Sequence, residues 1–245
     1  ETFLSDPHGR DHVTHAEMAF DENAKAIGVR IRTLAAMGAY LLDFGPRVPT
    51  MAGGRINGTV YDLQALNVQV RCVFTNTVPT DAYRGAGRPE ATFLLERLMD
   101  VAAKQTGIDR VELRRRNFIQ PDQFPYQTPV ALQYDSGNYH ATLDQAMASA
   151  DWAGFPARKA AAARAGKRLG RGIAYYVEIA GGGGTDQATR HRADRGAHAG
   201  VTLGFVHVGA ATQAGHCKRD CGKGDDDFFH VFPPLRCGSS DAEEL

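Results

Sequence analysis

Residues 75–91 read Thr75-Asn76-Thr77-Val78-Pro79-Thr80-Asp81-Ala82-Tyr83-Arg84-Gly85-Ala86-Gly87-Arg88-Pro89-Glu90-Ala91. A predicted strand leads there, through a loop of small residues, into the N-terminus of a predicted helix. Two glycines let backbone N–H groups approach a ligand closely, and a helix N-terminus offers unpaired donors at a positive dipole end. Arg84 and Arg88 add fork-shaped donors for a phosphate or oxo group. The stretch therefore predicts an anion-binding loop. A strand-to-helix turn whose arginines cap carbonyls is the alternative.

This loop does not follow the common nucleotide-binding patterns. Its spacing, Gly85-x-Gly87-x-x-Glu90, lacks the third glycine of a dinucleotide fingerprint, and no Gly-Lys-Ser/Thr of a phosphate loop is present. A nucleotide is therefore not the expected ligand.

The helix after the loop has the clearest periodicity in the chain. Its apolar residues recur at i, i+3 and i+4, Pro89 suits the first helical turn, and Gly107 can end the helix. These apolar positions are Ala91, Leu94, Leu95, Leu98, Val101 and Ala102.

Upstream of the loop the pattern has a period of two. Alternating residues over Asp11–Phe20 and Ala26–Leu34, separated by a polar turn, predict an antiparallel hairpin, and residues 68–74 predict a further strand. The segment Gly38–Gly58 is rich in Gly and Pro with little periodicity, and it is predicted to be a loop.

Downstream, helices predominate. An Asp109-x-x-Glu112 capping box predicts a short helix through Arg116, followed by helices at Thr142–Ala150 and Ala157–Ala165 and a strand at Gly172–Ile179. Strands and helices mix without strict alternation, which favours an α+β fold of mixed sheets with packed helices over a doubly wound one.

Composition and charge exclude several classes of protein. Lys plus Arg and Asp plus Glu number 28 each, so no net field favours nucleic acid, and the run Arg114–Arg116 is interpreted as a solvated or salt-bridged helix face. No apolar run approaches the length of a membrane span, and residues 1–6 do not form a signal peptide, so a cytoplasmic protein is expected. Cys217 and Cys221 lack a second tight pair, so no zinc site is predicted.

Beyond these patterns, several dispersed motifs resemble one family in the same order along the chain. They are Phe3-Leu4-Ser5-Asp6-Pro7-His8-Gly9-Arg10-Asp11-His12, Asp81-Ala82-Tyr83-Arg84-Gly85-Ala86-Gly87-Arg88-Pro89-Glu90-Ala91, Leu113-Arg114-Arg115-Arg116-Asn117-Phe118, Phe124-Pro125-Tyr126, Tyr134-Asp135-Ser136-Gly137 and Gly170-Arg171-Gly172-Ile173-Ala174. The family is that of molybdenum hydroxylase large subunits, which includes xanthine dehydrogenase, aldehyde oxidase and aerobic carbon monoxide dehydrogenase. The resemblance covers roughly Glu1 to Ala188.

The resemblance implies a molybdenum-dependent oxidoreductase that hydroxylates an aldehyde or heterocycle with water-derived oxygen at a molybdenum-molybdopterin cytosine dinucleotide cofactor. An iron–sulfur small subunit and an FAD-binding medium subunit are the implied partners, with a small molecule as substrate. Carried over by position, Arg84, Gly85, Ala86, Gly87 and Arg88 would bind the cofactor, and Asn67, Ala86 and Tyr175 would face the substrate. Tyr83 and Tyr175 can equally be core tyrosines with satisfied hydroxyls.

One departure from the family bears on the metal. Carbon monoxide oxidisers carry Ala-Tyr-Arg-Cys-Ser-Phe-Arg in this loop, with a Cys sulfur that bridges copper to molybdenum, whereas Gly85 stands at that position here. Because Cu(I) needs a soft ligand and glycine has none, no copper is expected. A protein of this kind could still bear the label of a carbon monoxide dehydrogenase large chain.

Two active-site segments of the family are missing from the chain: the Gly-Gly-Gly-Phe-Gly segment and the Gly-x-Gly-Glu segment that carries the general base. No catalytic residue is therefore assigned, and the chain is expected to be a fragment that is inactive by itself. A non-catalytic anion-binding module and an inactive pseudogene product are the alternatives.

The resemblance stops abruptly in the C-terminal part of the chain. Residues 1–188 are predicted to belong to the molybdopterin-binding region, and residues 189–245 to form an atypical tail that is frameshifted near Thr189 or disordered. A genuine divergent tail is the alternative, because breaks in pattern often mark termini. Resequencing the locus distinguishes the two, since an intact reading frame would exclude a frameshift.

Overall fold

The computed structural model of the chain describes residue 1, residues 5–178 and the backbone of three later strands, at residues 198–202, 207–208 and 229–232. Among the described residues, no helix combines the length and the apolar character that a membrane span requires.

The largest sheet is built on a hairpin. Strands β1 (His12–Phe20) and β2 (Ala26–Ala36) pair antiparallel, and the Asp21 carboxylate accepts the backbone N–H groups of Asn23 and Lys25 at 2.9 and 2.7 Å to close the turn. Such side-chain acceptance is the usual way in which Asp stabilises a tight turn. The predicted hairpin is confirmed.

Two further strands extend this sheet on either side. Strand β3 (Ala65–Val73) runs parallel to β2, as the crossover of 28 residues between them permits, and a late strand at Phe229–Phe232 runs parallel to β1.

Helix α1 (Arg88–Thr106) packs against this sheet and contributes to the core beside it. It buries Leu95, Leu98, Met99 and Ala102, and Gly107 ends it in the left-handed conformation (φ +73°). The predicted helix is confirmed with both of its termini.

Smaller elements complete the fold. Three helices follow, which are α2 (Arg110–Asn117), α3 (Tyr139–Ser149) and α4 (Phe155–Arg164). Short strands β4 (Tyr126–Gln127) and β5 (Gln133–Tyr134) lie between α2 and α3, and β6 (Arg168–Leu169), β7 (Ala174–Glu178), β8 (His198–Thr202) and β9 (His207–Val208) follow α4. The strand at Phe229–Phe232 is β10. Asp109 caps α2 by accepting the N–H groups of Val111 and Glu112 at 2.8 and 3.1 Å. The α+β class predicted from the sequence is confirmed.

The segment predicted to be a loop at 38–58 is partly helical, so this prediction is wrong in part. A π-helical turn covers Val48–Gly53, and a 3₁₀ turn covers Gly54–Ile56. A single turn is too short to show the apolar period of a helix, which explains why the sequence pattern did not reveal it.

The run Arg114–Arg116 is salt-bridged, but Arg114 is in the core instead of on a solvated face. Its guanidinium donates from Nε to Glu96 Oε2 at 2.9 Å and from Nη2 to Asp100 Oδ1 at 3.1 Å. The Tyr61 hydroxyl also donates to Glu96. Burial raises the pKa of Glu96, and the Arg114 charge opposes this rise. This charged network fastens α1 to α2.

Three hypotheses on the C-terminal part of the chain lie outside the described residues. They are the boundary at 188, the frameshift near Thr189, and the expectation that Cys217 and Cys221 bind no zinc. Of residues 189–245, the structure describes the backbone of β8, β9 and β10 alone.

Candidate functional site

The loop before α1 is a tight turn with an unusual backbone. Gly85, Ala86 and Gly87 are successive left-handed residues, with φ of +91°, +44° and +90°. The Ala86 N–H donates to the Tyr83 carbonyl at 2.7 Å, and the Arg88 N–H donates to the Gly85 carbonyl at 3.2 Å. A positive φ is strained for alanine by roughly 1–3 kcal/mol, so the surrounding structure must hold this turn in place.

Gly87 lies at the contact between the loop and the π-helical turn. A Cβ atom at this position would be 2.4 Å from the Val48 carbonyl oxygen and 2.6 Å from the Gly53 nitrogen. Only glycine fits this approach. Gly87 is also the N-cap of α1, and no side chain caps this helix N-terminus. The Arg88 N–H already donates to the Gly85 carbonyl and Pro89 has no N–H, so among the first three helical residues the Glu90 N–H is the donor left for a ligand.

The two arginines of the loop differ in their surroundings. The Arg88 Nε is 2.6 Å from Glu178 Oε1, at the end of β7. The Arg84 side chain is exposed and makes no hydrogen bond or ion pair to the part of the chain that the structure describes. Arg84 thus offers a full set of donors, whereas part of the Arg88 charge is already neutralised.

A segment near the N-terminus supports the loop from the outside. The His8 N–H donates to the Pro79 carbonyl at 2.9 Å, and the Asp81 N–H donates to the His8 carbonyl at 2.8 Å. Next in this segment, Arg10 contacts Tyr83, Arg84 and Glu90. Arg10 belongs to one of the motifs that resemble the family, but the sequence did not predict it as a site residue, because the 72 residues that separate it from the loop, Asp11 to Ala82, leave no local spacing signal.

A cavity of about 500 Å³ lies between the N-terminal part of α1, the π-helical turn and one face of the sheet. Its polar wall includes Arg10, His12 and Glu90, and its apolar wall includes Ile31 and Val68. Glu90 Oε1 is 3.5 Å from the Arg10 Nε, while its Oε2 is buried and accepts no hydrogen bond from the described residues. Burial lowers the pKa of His12, and the Glu90 charge partly opposes this shift.

The residues predicted to face the substrate do not come together around this cavity. Ala86 is in the loop, at the middle of the left-handed turn. Asn67 is exposed on β3, on the strand face opposite to Val68. Tyr175 is fully buried in β7 and donates from its hydroxyl to the Tyr139 carbonyl at 2.7 Å. In this structure Tyr175 therefore has the contacts of the core tyrosine that was the alternative interpretation.

Comparison with known proteins adds a family to this geometry. The molybdopterin cofactor-binding domain family matches residues 1–118. The carbon monoxide dehydrogenase large chain of Hydrogenophaga pseudoflava is 33% identical over 180 residues, which cover 71% of this chain and 22% of that protein. The nicotine 6-hydroxylase large subunit of Paenarthrobacter nicotinovorans is 30% identical over 216 residues, covering 86% of this chain and 26% of that protein.

Solved structures agree on the fold. The crystal structure of quinoline 2-oxidoreductase from Pseudomonas putida 86 superposes with a TM-score of 0.68 at 30% identity, over 74% of this chain and 23% of that chain. The chain thus spans about a quarter of the length of these relatives.

Proposed function

Because this chain belongs to the family of molybdenum hydroxylase large subunits, we propose that it forms part of the cofactor-binding surface of an enzyme that hydroxylates an aldehyde or a nitrogen heterocycle. The observation that carries the proposal is the loop 84–88, where the Arg84 side chain has no partner among the described residues and lies just before a helix N-terminus that no side chain caps. Activity belongs to the intact subunit, since the chain spans about a quarter of its relatives and lacks the family's general-base segment.

The residues of the loop fit an oxyanion-bearing cofactor such as molybdopterin. The Arg84 guanidinium can donate two parallel hydrogen bonds to a phosphate, and the helix start adds a positive dipole end. Gly87 is buried against the π-helical turn, but Gly85 and Ala86 are half-buried and carry no side chain larger than a methyl group, so a ligand can approach their main chain closely. Arg88 lies at the same site, where Glu178 holds its side chain. When bound, the molybdenum cofactor supplies the redox centre that accepts electrons from the substrate carbon.

The names of two relatives support the proposed substrate class. The names nicotine 6-hydroxylase and quinoline 2-oxidoreductase describe enzymes that act on nitrogen heterocycles. We assign the same class, or an aldehyde, to the intact enzyme, with oxygen derived from water. The cofactor would be the molybdopterin cytosine dinucleotide, and an iron–sulfur small subunit and an FAD-binding medium subunit would carry electrons away. Asn67, Ala86 and Tyr175 stay proposals as substrate-facing residues.

Copper is not part of this proposal, because Gly85 provides no ligand atom for it. The local geometry also opposes a side chain there. A Cβ atom on Gly85 would be 2.5 Å from Pro89 Cγ, and the φ of +91° is one that side-chain-bearing residues rarely adopt. A cysteine at this position would need a shift of the loop or of the first turn of α1.

The proposal is tested by oxidation assays of the purified intact complex in ¹⁸O-labelled water. We expect a nitrogen heterocycle or an aldehyde to acquire the label and carbon monoxide to remain unoxidised. Oxidation of carbon monoxide by a complex with bound copper would contradict the proposal.

A pair of variants tests whether the loop binds the molybdenum cofactor. Arg84→Gln should lower the molybdenum content, because it removes the charged donors at the loop. Arg32→Gln, at an exposed position on β2, is the matched control and should leave the molybdenum content unchanged.

A further inference from the structure

We propose that Arg10 is the positioning residue of the cofactor loop: its guanidinium fixes the conformation in which Arg84 and the Gly85–Gly87 backbone are presented. The inference rests on the proposed function for the identity of the ligand. The contacts that support it are present in the chain itself, whatever the loop binds.

One guanidinium reaches both sides of the left-handed turn. Its Cζ is 4.7 Å from the centre of the Tyr83 ring, and its Nη2 donates to the Arg84 carbonyl, both before the turn. Its Nε is 3.5 Å from Glu90 Oε1, in the first turn of α1. The planar fork of arginine makes these contacts simultaneously, which a lysine ammonium on a flexible stem cannot reproduce.

The backbone around Arg10 is arranged to deliver this side chain. Arg10 has a φ of +62°, a conformation that is uncommon for a residue with a side chain. The preceding Gly9 lies so close to Tyr83 that a Cβ atom would be 2.9 Å from the Tyr83 Cβ. The hydrogen bonds between His8 and residues 79 and 81 fix the register of the two segments. Backbone strain that the surrounding structure maintains, as at Arg10, is a recognised sign of a functional constraint.

The loop needs such a constraint because its own residues provide little rigidity. Gly85 and Gly87 have the widest conformational freedom of any residue type, and ordering them costs the most entropy. Arg10 holds the carbonyl of Arg84 on one side of the turn and the Glu90 side chain on the other. A turn fixed at both ends presents Arg84 in one orientation before the ligand arrives, which removes part of the entropic cost of binding.

The test uses the intact complex with Arg10→Gln, Arg10→Lys and the control Arg30→Gln. Arg30 is a suitable control because it also forms an ion pair, with its Nη1 3.0 Å from Glu17 Oε2, but lies on β2 and makes no contact with the loop among the described residues. Two quantities are measured: molybdenum and pterin content, and the rate of tryptic cleavage after Arg84 in cofactor-free complex. The unfolding temperature of each variant monitors global stability.

We expect Arg10→Gln to lower cofactor content and to speed cleavage after Arg84 by about tenfold, the factor that corresponds to the loss of one charge-assisted hydrogen bond. Arg10→Lys should fall between wild type and Arg10→Gln, because it keeps the charge near Tyr83 and Glu90 without the fork. Arg30→Gln should match wild type. The unfolding temperatures of Arg10→Gln and Arg30→Gln should be similar.

Two results would overturn the proposal. One is an Arg10→Gln complex with wild-type cofactor content and wild-type cleavage. The other is cleavage that increases at all arginines together with a large fall in unfolding temperature, since that describes a general structural role. If the wild-type complex itself contains no molybdenum, the proposed function fails, while the cleavage rates still decide the role of Arg10.

Discussion

Gly87 and Gly107 flank helix α1 at its two ends, and both have a left-handed backbone, but of these two glycines only Gly87 is pressed against another segment. Gly107→Ala should cost about 1–2 kcal/mol of stability, the usual penalty for a left-handed L-residue, because nothing lies within 4 Å of the added Cβ. Gly87→Ala should cost about 1–3 kcal/mol more, since the Cβ would overlap Val48 and Gly53. Denaturant unfolding of the intact subunit measures both. Equal losses would show that the contact with the π-helical turn is not tight.

His12 gives the second prediction at the scale of a single residue. Burial lowers its pKa in the folded state, against the opposing charges of Glu90 and Asp11. The unfolded chain therefore binds a proton more readily than the folded chain below pH about 6.5. The stability that neutral His12 contributes is present above this pH and is lost as the pH falls toward the lowered pKa.

We expect His12→Gln to flatten the dependence of unfolding stability on pH below about 6.5. His140, whose pKa burial and Arg115 also lower, should contribute in the same direction. The measurement is denaturant unfolding from neutral to mildly acidic pH, with His140→Gln and the double variant in parallel. An unchanged slope in His12→Gln would show that His12 accepts its proton as easily when folded as when unfolded.

At the scale of elements, the buried charges between α1 and α2 decide how the two helices are joined. Arg114 is fully buried and donates to Glu96 and Asp100, so Arg114→Met leaves a buried carboxylate without its cation. The expected loss is about 3–5 kcal/mol of stability. The control Arg116→Met removes an exposed pair with Glu112, for which the expected loss is about 0.2–1 kcal/mol.

The double variant Arg114→Met/Glu96→Leu should recover part of the loss, because it removes the carboxylate together with its partner. If the stability losses of Arg114→Met and Glu96→Leu simply add up in the double variant, Glu96 is stabilised mainly by Tyr61, whose hydroxyl donates to it.

The sequence predicted those elements whose signals are local. Alternation predicted the β1–β2 hairpin, the apolar period predicted α1, and Asp109 predicted the start of α2. It did not predict that Arg114 is buried, because a run of three arginines resembles a solvated face until Glu96 and Asp100 are placed beside it. Nor did it reveal the π-helical turn, which has a single turn and no period.

The same distinction applies to the candidate site. Residues 84–88 were proposed from their spacing and stay a prediction, since glycines and arginines before a helix indicate an anion site within one short window. Arg10, and the pairing of Arg88 with Glu178, depend on chain segments that meet only in the fold. Tyr175 was assigned by resemblance, and its burial beside Tyr139 follows from tertiary packing.

At the scale of the whole molecule, the described chain is a scaffold that presents one loop. The sheet and α1 enclose the cavity beside it, the π-helical turn fixes Gly87, and the segment at His8–Arg10 supports Tyr83 and Arg84. About three quarters of the length of its relatives lies beyond what this chain matches. We therefore assign the proposed catalysis to the intact large subunit, and we propose that this chain contributes its cofactor-binding loop.

The measurement that tests the central claim most directly is the molybdenum and copper content of the intact purified complex. The account predicts molybdenum close to equimolar with the large subunit and no copper above background, because the proposed cofactor loop offers the Arg84 donors and Gly85 has no ligand atom for copper. A complex without molybdenum, or one with copper at the same stoichiometry as molybdenum, would contradict it.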